Sequence, residues 1–293
     1  MSGEVNHDYH LVNPSPWPAV ASVAMLFVAI GAVFSMKPDA EVFGIVGGSF
    51  GNWFFYGGLV LLLITAFQWW KDVIDEAHAG DHTPVVQIGL RYGMIFFIAS
   101  EVMFFVAWFW AFFNAALFPP AMVDDPAMVW QLATLEWTWP PAGIETMDPW
   151  HLPLVNTLIL LLSGTTVTWA HHALLEGDRD GLKKGLWLTV ILGAIFTCVQ
   201  VYEYGHATFG FADGIYSSTF YMATGFHGAH VLIGTIFLLV CLVRTYKGHF
   251  KPDQHFGFEA AAWYWHFVDV VWIFLFFCIY IWGSIEKTGI AHY

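Results

Sequence analysis

The chain of 293 residues is 58% hydrophobic and only 11% charged, whereas soluble domains carry about a quarter charged residues. This composition excludes an ordinary water-soluble protein and predicts a membrane protein. The formal net charge of −13 also argues against nucleic acid as a partner, because phosphate binding needs clustered Lys and Arg.

Seven apolar runs are long enough to form membrane-spanning helices. A helix that rises about 1.5 Å per residue needs roughly 20 residues to cross about 30 Å of hydrocarbon. The sequence shows no internal repeat, no low-complexity tract and no soluble domain, so it predicts one all-α membrane domain over residues 1–293. The seven helices of this bundle are predicted at approximately residues 17–36, 53–70, 85–118, 152–174, 185–204, 218–244 and 258–283.

Two of the connections carry local structural signals. Thr83 followed by Pro84 predicts a helix start, because Thr can cap free amides and Pro fits the first turn. The polar stretch 177–181, Gly-Asp-Arg-Asp-Gly, predicts a tight loop between the fourth and fifth helices.

The positive charges predict how the chain lies in the membrane. Loops rich in Lys and Arg stay on the inner side, so the amino terminus is predicted to lie inside and the carboxyl terminus outside. Only Lys37 and Lys287 fall on the predicted outer side. Eight of the ten basic residues flank the even-numbered connections: Lys71, Arg91, Arg179, Lys183, Lys184, Arg244, Lys247 and Lys251.

The long outer connection, residues 119–151, is acidic and contains no Lys or Arg. It is either a contact surface for a soluble basic partner or a solvated loop that packs over the helix ends. Its acidic residues are Asp124, Asp125, Glu136, Glu145 and Asp148.

Ionisable residues inside the membrane are the first candidates for a functional site, because each costs several kcal/mol unless it is paired or neutralised. Glu101 lies in the middle of the third run with no Lys or Arg within one helical turn. It is either a protonatable or lipid-contacting site, or a neutral acid that hydrogen-bonds to a neighbouring helix. His171, His172 and Glu203 lie near helix ends, where we expect them to be wet.

Helices six and seven carry further polar residues. His227 and His230 share one helix face, but a closed metal site needs more ligands, so we predict a packing site and no metal. Glu259, His266 and Asp269 form one stripe of helix seven. Counting turns puts several of these residues at the depth of Glu101. We therefore predict a buried polar network of Glu101, His227, His230, Glu259, His266 and Asp269.

Short motifs spread over most of the chain resemble those of subunit III of the heme-copper cytochrome c oxidases. The longest is Gly-Phe-Glu-Ala-Ala-Ala-Trp-Tyr-Trp-His-Phe-Val-Asp at residues 257–269. The others lie at residues 10–18, 68–73, 82–84, 90–94, 100–105, 168–172, 176–179 and 223–228.

The resemblance implies a V-shaped cleft that holds phospholipid between helices one and two and helices three to seven. By motif position, Glu101 and Trp110 match residues that line this cleft. Basic residues at inner helix ends suit anionic lipid phosphates. Asp75 departs from the family pattern, because some relatives carry a basic lipid contact there. The residues expected to bind lipid are Glu101, Trp110, His82, Arg91, Arg244 and Lys247.

The resemblance also implies a function in aerobic respiration. The chain is expected to carry no redox centre or metal, and to join an oxidoreductase complex whose hemes and copper lie in partner subunits. It is expected to pack against subunits I and II, to support proton uptake and to protect the active site from turnover inactivation. The acidic connection gives a possible weak contact with soluble cytochrome c. The membrane is expected to be a bacterial plasma membrane or a mitochondrial inner membrane, with the amino terminus on the cytoplasmic or matrix side.

Other seven-helix classes fit the sequence less well. A retinal protein needs a Schiff-base Lys in its last helix, and residues 258–283 contain none. A secondary transporter usually has paired broken helices in two related halves, and neither is evident. The catalytic oxidase subunit needs a segment of the His-Pro-x-x-Tyr type, which is absent. A quinol oxidase keeps a similar third subunit, so the electron donor stays open.

Overall fold

The computed structural model of the chain describes residues 9, 14–37, 41–42, 45–118, 136–141 and 143–290. Within these residues, seven helices are long and apolar enough to cross a membrane, which confirms the predicted number. Asp124 and Asp125 of the acidic connection, and residues 10–13 of the first motif, lie outside the described residues. The helices are α1 Trp17–Met36, α2 Gly47–Ala79, α3 Pro84–Leu117, α4 Leu152–Leu175, α5 Arg179–Gly205, α6 Ile215–Tyr246 and α7 Phe256–Leu275.

The last span continues beyond α7. A π-helical segment, Phe276–Ile281, and a short α-helical end, Trp282–Ser284, extend it. In the part of the chain that the structure describes, four short strands, which the sequence did not predict, form two antiparallel pairs outside the spans. They are too short to show an alternating apolar pattern. β1 Glu41–Val42 pairs with β2 Ile45–Val46, and β3 Glu136–Trp139 pairs with β4 Lys287–Ile290.

The chain divides into two compact units, of which the first is Met1–Leu90. In this unit α1 packs on α2 through glycine. A Cβ atom at Gly31 would overlap the backbone of Phe55, so only glycine permits this close approach of two membrane helices. At the start of α1, the indole of Trp17 donates a hydrogen bond of 2.5 Å to Asp72 of α2.

The second unit, Arg91–Tyr293, is built around the seventh span. Within the apolar 18-residue window of that span 56% of the residues are buried, against 11% for the corresponding window of α3. Two fully buried indoles of α7 donate hydrogen bonds to α4, from Trp265 to Ser163 at 2.9 Å and from Trp272 to Thr157 at 2.8 Å. These bonds satisfy the polar tips of large apolar side chains and fix α7 against α4.

The helix α2 is longer than the predicted run at residues 53–70. It continues to Ala79 through Lys71, Asp72 and Asp75. These charged residues end the apolar run, but charged residues such as Lys are compatible with a helical backbone. Hydropathy therefore marks the part of a helix that suits hydrocarbon rather than the whole helix.

The helix α5 begins at Arg179, earlier than predicted, so the stretch 177–181 is only partly a loop. The side chain of Asp178 accepts hydrogen bonds from the backbone amides of Asp180 and Gly181 at 3.1 and 3.0 Å. Asp178 is thus the N-cap, which satisfies amides that have no partner inside the helix. Residues 179–181 of this stretch form the first turn of α5.

Candidate functional site

The centre of the candidate site is a contact between Glu101 of α3 and His230 of α6. The Oε2 atom of Glu101 lies 2.9 Å from Nε2 of His230, and the two side chains are 23% and 12% exposed. The other ring nitrogen of His230 lies 2.6 Å from the carbonyl oxygen of Phe226. A carbonyl oxygen only accepts, so Nδ1 of His230 carries a hydrogen.

A hydrogen bond between these two atoms can form in two charge states. If the ring of His230 is neutral, Nε2 is an acceptor and the carboxyl of Glu101 must be protonated. If the ring is charged, Nε2 donates to a carboxylate. In both states one proton lies between Nε2 and Oε2. The rings of Phe104 and Phe105 have their centroids 5.9 and 4.9 Å from that of His230, so the shared proton lies in aromatic surroundings.

His227 belongs to the packing of the second unit rather than to this pair. Its side chain is completely buried, and its Nε2 lies 3.1 Å from the carbonyl oxygen of Val268. The centroid of its ring lies 4.9 Å from that of Trp272. Its Nδ1 is buried without a hydrogen-bond partner.

His266 and Asp269 of α7 form a second group, with Nδ1 3.5 Å from Oδ2, which is at the long limit of a polar contact. The other nitrogen of His266 lies 3.1 Å from the hydroxyl of Thr168 in α4. Asp269 is 5% exposed, and its Oδ1 is buried without a partner. A Cβ atom at Gly164 would collide with Oδ2 of Asp269, so this glycine makes room for the carboxylate.

Glu259 is held by an ion pair instead of by the other residues of its stripe. Arg91 of α3 donates from Nε to both carboxylate oxygens of Glu259, at 3.1 and 3.0 Å, and its Nη2 lies 2.9 Å from Oε2. Such a bidentate contact fixes both the distance and the orientation of the two groups. The sequence did not predict this pair, because the residues lie far apart in the chain.

The six residues of the predicted network therefore lie in four separate groups within Arg91–Tyr293. Among the described residues, no direct hydrogen bond joins one group to another. Helical spacing gives the depth of a residue and the face on which it lies. It does not specify which neighbouring helix covers that face. The six residues lie in separate groups because different helices cover them.

The residues expected to bind lipid headgroups lie at different places in the fold. Arg244 is in the last turn of α6, where its guanidinium lies 4.5 Å from the ring centroid of Phe250 and its Nε is buried without a partner. Lys247 follows as the C-cap of α6 and is exposed. Trp110 of α3 is 74% exposed. His82 lies in the connection between α2 and α3.

The sequence did not predict a buried polar cluster at the carboxyl end of α5. Glu203 was expected to be wet, but it is only 3% exposed, so that expectation was wrong. Its Oε1 accepts hydrogen bonds from the hydroxyl of Tyr280 at 2.7 Å and from the amide of Gln200 at 3.4 Å. Asn156 of α4 donates to Gln200 at 3.3 Å. The signal in the sequence was the pair of polar residues at i and i+3 in an apolar run.

The described residues contain no group of three or more His, Cys, Asp or Glu side chains placed to hold a metal ion.

Comparison with known proteins gives the family. The family model described as cytochrome c oxidase subunit III matches residues 7–284. Among curated relatives named cytochrome c oxidase subunit 3, that of Marchantia polymorpha is 52% identical over 285 residues, which cover 97% of this chain and 100% of the relative. That of Danio rerio is 50% identical over 279 residues, and that of Rattus norvegicus is 48% identical over 286 residues. Each of these two alignments covers 95% of this chain and 98% of the relative. The chain therefore belongs to the cytochrome c oxidase subunit III family.

Proposed function

We propose that the chain is the third subunit of a proton-pumping oxidase that takes its electrons from cytochrome c. In this role it carries no redox centre; it binds phospholipid and packs against subunits I and II, which hold the hemes and copper. The observation that carries the proposal is the family match over residues 7–284. We place the complex in a bacterial plasma membrane or a mitochondrial inner membrane.

The exposed apolar faces of the helices support binding of lipid and of partner subunits. On α3, Phe96 is 71% exposed and Trp110 is 74% exposed. Apolar surface of this extent needs hydrocarbon or another protein chain to cover it. We propose that Trp110 and Glu101 contact phospholipid.

Basic residues at helix ends support contacts with lipid headgroups. The guanidinium of Arg244 is oriented by Phe250 and keeps a buried donor, Nε, without a partner. A phosphate oxygen can accept such a donor. We propose that Arg244 and Lys247 bind headgroup phosphates. Arg91 already forms an ion pair with Glu259, so we propose a lipid contact only as its secondary role. We propose a lipid contact of His82 from its position in the motif alone.

The contact between Glu101 and His230 supports the proposal that the subunit assists proton uptake. The two ionisable side chains are in direct contact at 2.9 Å within the membrane-spanning part of the chain, and a hydrogen bond between them can be donated by either partner. We propose that the subunit uses such groups to stabilise proton uptake into subunit I and so protects the active site during turnover. The acidic connection 119–151 is proposed as no more than a weak contact for cytochrome c.

The test is to purify the tagged chain in mild detergent and to record the visible spectrum, the co-purifying chains and the oxidase activity with reduced cytochrome c and with quinol. We expect heme bands, two larger partner chains and oxidation of cytochrome c. Activity with quinol alone would assign the chain to a quinol oxidase instead. A colourless chain that purifies alone would overturn the proposal and favour a transporter or receptor.

A further inference from the structure

A cluster of basic and aromatic side chains lies where the start of α5 meets the end of α6. The indole nitrogen of Trp187 in α5 donates a hydrogen bond of 3.1 Å to the hydroxyl of Tyr246 in α6. The ammonium nitrogen of Lys183 lies 5.2 Å from the centroid of the Tyr246 ring, which is within the range of a cation–π contact. Lys184, the next residue of α5, is exposed. These four residues are called the α5–α6 cluster below.

Two accessible donors of this cluster have no acceptor within the described part of the chain. The oxygen of Tyr246 accepts from Trp187, so its own O–H group can donate to another molecule. Tyr246 is 60% exposed, and Lys183 is half-buried. Among the residues that the structure describes, no ion pair involves Lys183 or Lys184. The cluster therefore presents an ammonium group and a hydroxyl donor beside each other.

The acidic residues nearby lie further from the membrane than these donors. Asp178 is used as the N-cap of α5. Lys183 and Lys184 follow Asp180 by three and four residues, which places them about 4.5–6 Å further along the helix. Positive charge is therefore not neutralised at the level of the Tyr246 ring, and this level of the surface attracts anions.

Exposed apolar side chains continue from the cluster along both helices towards the middle of the membrane. On α5, Ile191 follows Trp187 by four residues. On α6, Val243 and Leu239 precede Tyr246 by three and seven residues. These spacings keep each set on one face of its helix. The three aliphatic side chains are exposed on two helices that pack against each other, so they form an apolar surface directly below the charged one.

We propose that the α5–α6 cluster binds an anionic phospholipid of the leaflet that faces these helix ends. The phosphate accepts hydrogen bonds from the ammonium of Lys183 and the hydroxyl of Tyr246, and the acyl chains cover the apolar side chains below. Lys side chains beside the membrane favour anionic over zwitterionic lipid. A soluble anion would satisfy the donors but would leave the apolar surface uncovered.

This site is separate from the headgroup contact proposed for Arg244. Residues 244 and 246 are two positions apart, which turns them by about 200° around the axis of α6. The guanidinium of Arg244 accordingly lies over the ring of Phe250, whereas the side chain of Tyr246 contacts α5. The inference requires only that the chain spans a membrane, so it depends neither on the electron donor nor on the identity of the partner subunits.

The test is photo-cross-linking of the purified complex in phosphatidylcholine vesicles. The vesicles contain a small fraction of phosphatidylglycerol with a photoactivatable acyl chain, and mass spectrometry identifies the labelled peptides. We expect labels on α5 near Ile191 and on α6 near Val243, and competition by unlabelled phosphatidylglycerol. Equal labelling by photoactivatable phosphatidylcholine would show unselective lipid contact and would overturn the inference. Absence of label would overturn it as well, because another chain would then cover this surface, and competition by inorganic phosphate would assign the site to a soluble anion instead.

Variants of the cluster identify the groups that hold the headgroup. We expect Lys183→Gln to lower the labelling of α5 about fivefold, the effect of one basic residue near a membrane surface. Tyr246→Phe removes only the hydroxyl donor and should lower the labelling in the same direction. The matched control is Lys251→Gln, which removes the same charge from an exposed position after α6 and should leave the labelling of α5 unchanged. Equal labelling in Lys183→Gln and Lys251→Gln would contradict the inference but not the proposed function, which the purification of the complex tests separately.

Discussion

Single atoms determine how the polar residues of this membrane protein are grouped. Glu101 and His230 meet because Nδ1 of His230 is used by the carbonyl of Phe226, which leaves Nε2 for the carboxyl group. Asp269 fits beside α4 because residue 164 has no Cβ atom. The spacing of residues along one helix indicated neither contact, since both depend on atoms of a second helix.

A double-mutant cycle tests the pair at the centre of the candidate site. We expect Glu101→Ala and His230→Ala to be non-additive, with a coupling free energy of about 1–3 kcal/mol, because the two side chains share a proton. The measurement is thermal or denaturant unfolding of the purified complex. The cycle of Glu101→Ala with His266→Ala is the control, and its coupling should stay below about 0.5 kcal/mol. Strong coupling in the control would mean that the groups are connected after all.

Gly164 gives a prediction about packing. We expect Gly164→Ala to destabilise the second unit by about 1–3 kcal/mol, as overpacking usually does, because its Cβ atom would collide with Asp269. The matched control is Gly225→Ala, since a Cβ atom at Gly225 meets nothing within 4 Å. Thermal midpoints of the two purified variants give the comparison. Equal midpoints would show that α4 and α7 can separate without cost.

At the scale of the elements, the sequence predicted the number of helices and the bounds of α1, Trp17–Met36, but not the ends of α2 and α5. The number follows from the apolar runs, which the membrane imposes. The apolar run stops at Lys71, whereas α2 continues to Ala79 because charged residues are compatible with a helical backbone. The start of α5 depends on Asp178, which caps its own helix. The burial of Glu203 could not be predicted either, since the hydroxyl of Tyr280 that covers it comes from the last span.

The cap of α5 can be tested directly. We expect Asp178→Ala to destabilise the first turn by about 0.5–2 kcal/mol, the usual cost of losing an N-cap. Hydrogen exchange at the amides of Asp180 and Gly181 should become faster. Asp180→Ala is the control, because this exposed residue adds only a charge near the helix dipole, for about 0.3–1 kcal/mol. An unchanged exchange rate in Asp178→Ala would show that the turn is held by tertiary contacts instead.

At the scale of the whole molecule, charge and burial give complementary information. Burial identifies the seventh span as the centre of the second unit, and the exposed aromatics of α3 mark a surface that lipid or partner chains must cover. The distribution of Lys and Arg predicts which ends of the helices face inwards. By that prediction, Glu203 lies towards the outer side and the guanidinium of Arg244 towards the inner side.

This orientation can be measured by labelling with a membrane-impermeant maleimide. Cys198, Cys241 and Cys278 are first replaced by Ala, and a single Cys is then introduced as Ala212→Cys or as Glu176→Cys. Both positions are exposed, in the connections after α5 and after α4. In sealed vesicles with the outer side outwards, we expect labelling of Ala212→Cys alone, because the basic residues hold the α4–α5 connection inside. Both variants should label once detergent opens the vesicles. Labelling of Glu176→Cys alone would reverse the orientation. Glu203 would then lie towards the inner side and Arg244 towards the outer side.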